Sequence, residues 1–133
     1  MSSVFADTFY FLALLNAHDQ AHPRAVSFTA KFQGSVWTTT WVLTELADAL
    51  SDPRNRAEFI ATLNDLRADP NVRIVEPDMA LFDAGVQLYA ARSDKAWSLT
   101  DCISFEVMKR EGIHEALTAD RDFEQAGFVP LLK

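Results

Sequence analysis

The sequence predicts an α/β fold: a mainly parallel sheet of four to five short strands with helices on both faces. Three observations carry that reading. Short apolar or β-branched runs alternate with segments of helical apolar spacing along the 133 residues, the order that builds parallel sheets. Glycine and proline fall mostly at the junctions, and no stretch reads as a linker, tail, low-complexity tract or solenoid repeat. The hydrophobic fraction, 49%, supplies a sizeable core for one compact unit spanning residues 1–133.

Taken in order, Val4–Ala6 is a short apolar strand closed by Asp7. Thr8–Ala17 is apolar nearly all round, through Phe9, Phe11, Leu12, Leu14 and Leu15, and reads as a buried helix. His18–Pro23 is a connection. A second helix runs over Arg24–Phe32, its start marked by Pro23 and its end by Gly34. Val36–Thr38 is a β-rich strand and Trp41–Leu50 a helix. Asp52-Pro53 marks another helix start, and Ala57–Leu66 repeats apolar residues at Phe59, Ile60, Leu63 and Leu66. Val72–Val75 is a strand closed by Pro77. Ala80–Ala91 is helical, and so is Asp101–Arg110, which Gly112 stops. Ala116–Ala119 is a strand, Arg121–Ala126 a brief helix, and Phe128–Leu132 the last strand.

Composition narrows the function. The most apolar run, Phe9–Leu15, is far shorter than the roughly 20 residues that cross a bilayer, and it lacks the basic lead and small-residue cleavage site of a signal peptide. A single cysteine, Cys102, forms no intramolecular disulfide, so a reducing cytoplasm is the expected compartment. The net charge of −7 opposes general nucleic-acid binding, which uses a basic surface. If four carboxylates hold metal, setting them aside reduces −7 to −3, and bound cations place positive charge where a phosphate would sit. Any nucleic-acid binding is then local and metal-dependent.

Those four acids are Asp7, Glu45, Asp101 and Asp120. In a parallel sheet the strand C-termini and the following helix N-termini share one edge, where ligands bind. Asp7, Asp101 and Asp120 stand at such positions. Each acid also has an ordinary reading. Asp7 and Asp120 are placed to cap helices, Ser98 and Asp101 form an S-x-x-D capping box, and Glu45, Asp48 and Asp52 make a solvated face. Their joint occurrence favours a site. Two like charges at 4 Å repel by roughly 4 kcal/mol at an effective dielectric near 20, which a stable protein relieves with a cation or with protons. Oxygen donors without a histidine or cysteine set suit Mg²⁺ or Mn²⁺ rather than zinc.

Four segments resemble the acidic motifs of the PIN domain family, in the family's order: Val4-Phe5-Ala6-Asp7-Thr8, Thr39-Thr40-Trp41-Val42-Leu43-Thr44-Glu45-Leu46, Leu99-Thr100-Asp101-Cys102-Ile103-Ser104, and Leu117-Thr118-Ala119-Asp120-Arg121-Asp122-Phe123. The resemblance covers nearly the whole chain and is especially close to the short, single-domain ribonuclease toxins of the VapC type. It implies a PIN-like nuclease domain and an endoribonuclease dependent on Mg²⁺ or Mn²⁺, with water attacking the phosphodiester to leave 5′-phosphate and 3′-hydroxyl ends. It implies direct metal ligands at Asp7 and Asp101, and direct or water-mediated ones at Glu45 and Asp120. It further implies an RNA substrate, a cognate antitoxin laid into an apolar groove, and a homodimer. Many relatives carry histidine where this chain has Asp122, for which a surface or supporting role is favoured over a fifth metal-facing acid.

Thr8, Thr100 and Thr118 adjoin the acids, and their hydroxyls either orient carboxylates or serve helix caps and strands. Arg121 is read as a surface ion pair before a phosphate contact, and Trp97 as a core or interface anchor before a base-stacking platform. His18, Asp19 and His22 are read as a solvated loop, and Cys102 as a packed thiol. The aromatic surplus of Phe9, Phe11, Phe28, Phe32, Phe59 and Trp41 suggests an apolar face for the antitoxin. The alternatives are an inactive PIN-fold binding module and a PIN-type nuclease outside any toxin–antitoxin system. Phe9 replaces the second acid of a haloacid-dehalogenase D-x-D motif, a receiver's acidic pair and late lysine are missing, and no phosphate-binding G-x-x-x-x-G-K occurs.

Overall fold

The computed structural model describes residues 2–133. Five strands, β1 (Ser3–Ala6), β2 (Ser35–Thr39), β3 (Val72–Val75), β4 (Glu115–Leu117) and β5 (Val129–Pro130), form one sheet in the order β3-β2-β1-β4-β5. Every neighbouring pair is parallel. Helices α1 (Thr8–Leu15) and α2 (His22–Lys31) join β1 to β2, and α3 (Thr40–Ala49) and α4 (Arg56–Ala68) join β2 to β3. The return to β4 runs through α5 (Met79–Ala91) and α6 (Leu99–Glu111), and α7 (Arg121–Gln125) leads to β5.

The strand order contains the feature that positions the site. From β1 the chain moves outward through β2 to β3, then crosses back to β4 on the other side of β1 and moves outward again to β5. Right-handed crossovers place connections that run in opposite directions on opposite faces of the sheet. The first four helices therefore cover one face, and α5, α6 and α7 the other. Between β1 and β4 the connections diverge, which opens a crevice beyond the strand C-termini where open α/β sheets bind ligands.

The core lies where the two layers meet the sheet: Val4, Phe5 and Ala6 of β1, Phe11 of α1, Leu46 of α3, Ile103 and Met108 of α6, and Phe123 of α7 are all almost fully enclosed. A strand buried on both faces reads as a continuous apolar run, as β1 does over Val4, Phe5 and Ala6. Gly85 lets α5 and α6 close together, because a Cβ there would lie 2.4 Å from Cγ1 of Ile103.

The predicted elements all occur, with shifted ends. The helix over 24–32 begins at His22, so Pro23 sits in its first turn, and it ends at Lys31. Gly34 does not stop that helix. It lets the chain pass the Ser2 carbonyl, which a Cβ would meet at 2.1 Å. The strand over 116–119 ends at Leu117, and the Thr118 amide turns to donate to the Ala116 carbonyl at 3.0 Å. The last strand shrinks to Val129–Pro130. Among the described residues no helix is long and apolar enough to cross a membrane.

Candidate active site

The β1–β4 pairing sets the centre of the site. Phe5 stands opposite Ala116 and Ala6 opposite Leu117, so one step further Asp7 lies beside Thr118. The Thr118 hydroxyl donates to Oδ2 of Asp7 at 3.1 Å and accepts the Asp120 amide at 3.0 Å. Thr118 is fully enclosed and Asp7 nearly so, at 5% exposure. Asp7 occupies the N-cap position of α1, but its side chain makes no cap bond. The capping reading of Asp7 is thus overturned, because its carboxylate turns into the crevice.

Glu45 reaches the same crevice from the second turn of α3. Thr39, fully buried, starts that helix by accepting the Val42 amide on its hydroxyl at 3.1 Å. The Thr8 hydroxyl then donates to Oε1 of Glu45 at 2.5 Å, tying α1 to α3.

Asp101 arrives on α6 through the predicted capping box. Ser98 accepts the Asp101 amide at 3.0 Å, and the Asp101 carboxylate accepts the Ser98 amide at 3.4 Å. Asp120 caps α7 by accepting the Asp122 amide at 2.9 Å. Here the structural reading holds, yet the same carboxylate belongs to a cluster. Oxygens of Asp101, Asp120 and Asp122 all lie within 4.8 Å of one another.

That cluster bears on Asp122, read from the sequence as a surface or supporting residue: its carboxylate lies beside those of Asp101 and Asp120. Asp120 at the N-cap and Asp122 at the second helical position of α7 turn their carboxylates to the same helix end, where they meet Asp101. The D-x-D spacing at a helix start was the signal available in the sequence. Arg121, between them, is exposed, and among the described residues it makes none of the ion pairs expected of it. Among the described residues no hydrogen bond joins the Thr100 hydroxyl to an acid, whereas Thr8 and Thr118 each hold one.

The electrostatics show the crowding. Burial, aided by the charge of Asp101, pushes Asp7 from 3.8 up to about 7. Burial, with Asp120 adding repulsion, raises Asp101 to about 6. Burial and then Asp120 also raise Asp122. Asp7 feels Asp101 and Glu45, and Asp101 feels Asp120 and Asp122, so five carboxylates form one electrostatic unit. An all-oxygen donor set with several acids held above their ordinary range fits a hard divalent cation, which would neutralise what burial and repulsion disfavour.

Other candidates lie elsewhere. Trp97 is buried, edge-on to Phe105 with ring centres 5.1 Å apart, and its indole N–H donates to Gln125 at 3.2 Å, so it is a core residue and not a stacking platform. Cys102 is enclosed. His22 contacts the Ala13 carbonyl at 2.7 Å, and Asp19 accepts the Ala21 amide in a turn. Phe11 is in the core, and Phe9, Phe28, Phe32, Phe59 and Trp41 are half-buried against it, so the aromatic surplus is largely spent inside. The exposed large apolar residues are Val26, Ile60, Met79, Val86, Tyr89 and Val129.

Comparison with known proteins gives these features a family. The PIN domain family model matches residues 4–129. The chain is 30% identical over 126 residues to the 23S rRNA-specific endonuclease VapC20 of Mycobacterium tuberculosis, covering 95% of both chains. The crystal structure of that VapC20, described as a Sarcin-Ricin loop cleaving toxin, superposes with a TM-score of 0.86 at 29% identity, over 95% of this chain and 96% of the other. Two more distant structures share the fold. FitAcB from Neisseria gonorrhoeae has a TM-score of 0.68 at 18% identity, over 96% of this chain and 94% of that one. VapBC2 from Rickettsia felis, bound to a promoter DNA fragment, has 0.68 at 13%, over 96% of each. The chain belongs to the PIN domain family, with a VapC-type toxin among its relatives.

Proposed function

We propose that the chain is a divalent-metal-dependent endoribonuclease, the toxin of a toxin–antitoxin pair, acting in the cytoplasm. The observation that carries this reading is the cluster of Asp101, Asp120 and Asp122, whose oxygens lie within 4.8 Å of one another, with Asp7 close enough that the charges of Asp101 and Glu45 help to raise it. The VapC20 relative, a 23S rRNA-specific endonuclease by name, supports RNA as the substrate.

Asp7 and Asp101 would hold Mg²⁺ or Mn²⁺ directly, Asp120 and Glu45 would do so directly or through water, and Asp122 completes the acidic wall beside Asp101 and Asp120. When bound, the cation lowers the pKa of a water and offsets charge on the scissile phosphate. The chain's own groups do the positioning. Thr118 fixes Asp7 and the Asp120 amide together, Thr8 fixes Glu45, and Ser98 fixes Asp101. Arg121, exposed and without an ion pair among the described residues, supplies positive charge next to Asp120 and contacts a phosphate. Water attack in this frame leaves 5′-phosphate and 3′-hydroxyl ends.

Two surfaces suit the partners. A cavity of about 370 Å³, lined by Leu14, Leu15, Phe28, Phe32, Leu66 and Val72 among others, is apolar enough to take a segment of an antitoxin. Met79 and Val86, exposed on α5 seven positions apart, give a stripe for a second copy of the chain.

The test is incubation of purified protein and Mn²⁺ with single-stranded RNA. Cleavage that EDTA stops, with 5′-phosphate ends on the fragments, is expected. Intact RNA together with no metal binding in calorimetry would leave a PIN-fold binding module instead. A growth assay separates toxin from bystander nuclease: the wild type arrests growth and Asp7→Asn does not.

A further inference from the structure

The α5–α6 connection carries a second feature of the site, one the acidic motifs do not include. A cavity of about 430 Å³ opens there, lined by Tyr89, Arg92, Ser93, Lys95, Trp97 and Cys102 among others. None of the acids lines it, but the 92–98 connection that forms it leads straight into the first turn of α6, which carries Asp101 at the same edge of the sheet. Lys95 is six positions before Asp101, a separation that extended chain could stretch to at most about 20 Å, and the helical turn at Ser98 shortens it.

Tyr89 stands 54% exposed at the rim, an aromatic ring with a polar tip. Arg92 is committed locally: its guanidinium pairs with both oxygens of Asp94, at 2.9 and 3.0 Å, and lies over the Trp97 ring at 5.2 Å. These contacts brace the loop and offset the charge of Asp94. Lys95 forms no ion pair among the described residues, although it lies near enough to Asp94 to help hold that carboxyl low. A chain of net charge −7 thus brings one exposed aromatic ring and one lysine together at a cavity on the connection that leads to Asp101.

We propose that this cavity binds a nucleotide of single-stranded RNA flanking the scissile phosphate, with the base stacked on Tyr89 and its phosphate on Lys95. An aromatic platform next to a cation is the arrangement that holds unpaired nucleotides with little sequence preference. The charge argues for RNA over an apolar protein segment, which would leave Lys95 buried and unpaired. The inference rests on the nuclease reading, and adds to it a subsite that governs substrate binding rather than bond cleavage.

The experiment compares wild type, Tyr89→Ala, Tyr89→Trp and Lys95→Ala, using a labelled single-stranded oligoribonucleotide of mixed sequence with Mn²⁺. Tyr89→Ala is expected to raise KM about tenfold with kcat within about twofold, and Tyr89→Trp to restore KM. Lys95→Ala is expected to weaken binding and reduce the salt slope by about one. Wild-type cleavage with unchanged KM and salt slope in both alanine variants overturns the subsite alone. A wild type that neither binds nor cleaves the RNA overturns the nuclease reading and the subsite with it. If light scattering shows that Tyr89→Ala turns a dimer into a monomer while KM is unchanged, Tyr89 belongs to a subunit contact and the subsite is likewise overturned.

Discussion

The Thr118 hydroxyl donates to the Asp7 carboxylate at 3.1 Å although 111 positions separate the two residues. The bond crosses from the end of β4 to the end of β1, at the point where the chain's outward connections diverge. Both groups are buried, and Thr118 also holds the Asp120 amide, so one hydroxyl sets the spacing of two acids.

Replacing that hydroxyl should therefore disturb both stability and metal binding. Thr118→Val leaves the Asp120 amide without an acceptor and Asp7 without its donor, which costs about 1–3 kcal/mol. Mn²⁺ affinity should fall about 10- to 100-fold, as when groups that orient metal ligands are removed. Thr118→Ser keeps the hydroxyl and should retain most of both. Urea unfolding and Mn²⁺ calorimetry on the three proteins check this.

The acids should make the metal-free protein less stable as pH rises. Asp7 has a pKa of about 7 when folded against 3.8 as a free group, and Asp101 about 6. Between those limits the folded state holds more protons than the unfolded chain, so unfolding free energy declines from about pH 4 to 7. Together the two shifts, about 3 and about 2 pH units at about 1.4 kcal/mol each, set an upper bound of about 7 kcal/mol on the fall. Asp7→Asn keeps an oxygen for Thr118 and removes the charge, so it should flatten the profile and raise stability at pH 8. Saturating Mg²⁺ should do the same for the wild type. Thermal unfolding from pH 5 to 8 in EDTA and in Mg²⁺ is the measurement.

Much of this arrangement is legible in the sequence because it rests on local chemistry. The alternation of strands and helices, the Ser98–Asp101 capping box and the Asp120 cap all follow from neighbouring residues. What the sequence hides depends on tertiary register. The Asp7 side chain leaves its helix end because Thr118 comes alongside it, a contact no local pattern encodes. Ala116–Ala119 has uniform strand character, yet the strand ends at Leu117, where the Thr118 amide turns back to the Ala116 carbonyl while the Thr118 carbonyl still accepts the Leu132 amide. Phe9 and Phe28 look surplus only until two packed layers are counted, since both lie half-buried against the core. Asp122 seems peripheral until α6 brings Asp101 against the start of α7.

Asp122 should therefore contribute to metal binding. Asp122→Ala is expected to weaken Mn²⁺ about tenfold in calorimetry without lowering the thermal midpoint of the metal-free protein. Asp122→His should shift preference from Mg²⁺ toward zinc, because imidazole is the softer donor. Thermal shifts with each ion report that change independently of cleavage.

Packing far from the acids should also reach them. Gly85→Ala would place a methyl 2.4 Å from Cγ1 of Ile103, so α5 and α6 must part. The cost is about 1–3 kcal/mol. Since α6 carries Asp101, Mn²⁺ affinity should fall as well, whereas an alanine on the exposed face of α5, as in Gln87→Ala, should change neither. Chemical denaturation and calorimetry distinguish the two variants.

A crystal structure grown with Mn²⁺, with anomalous density measured at the manganese edge, tests the shared cation most directly. The account predicts a peak bordered by Asp7, Asp101 and Asp120, with carboxylate oxygens about 2.0–2.3 Å away. A fully ordered site with no peak there, or manganese bound only at acids elsewhere on the surface, would contradict it.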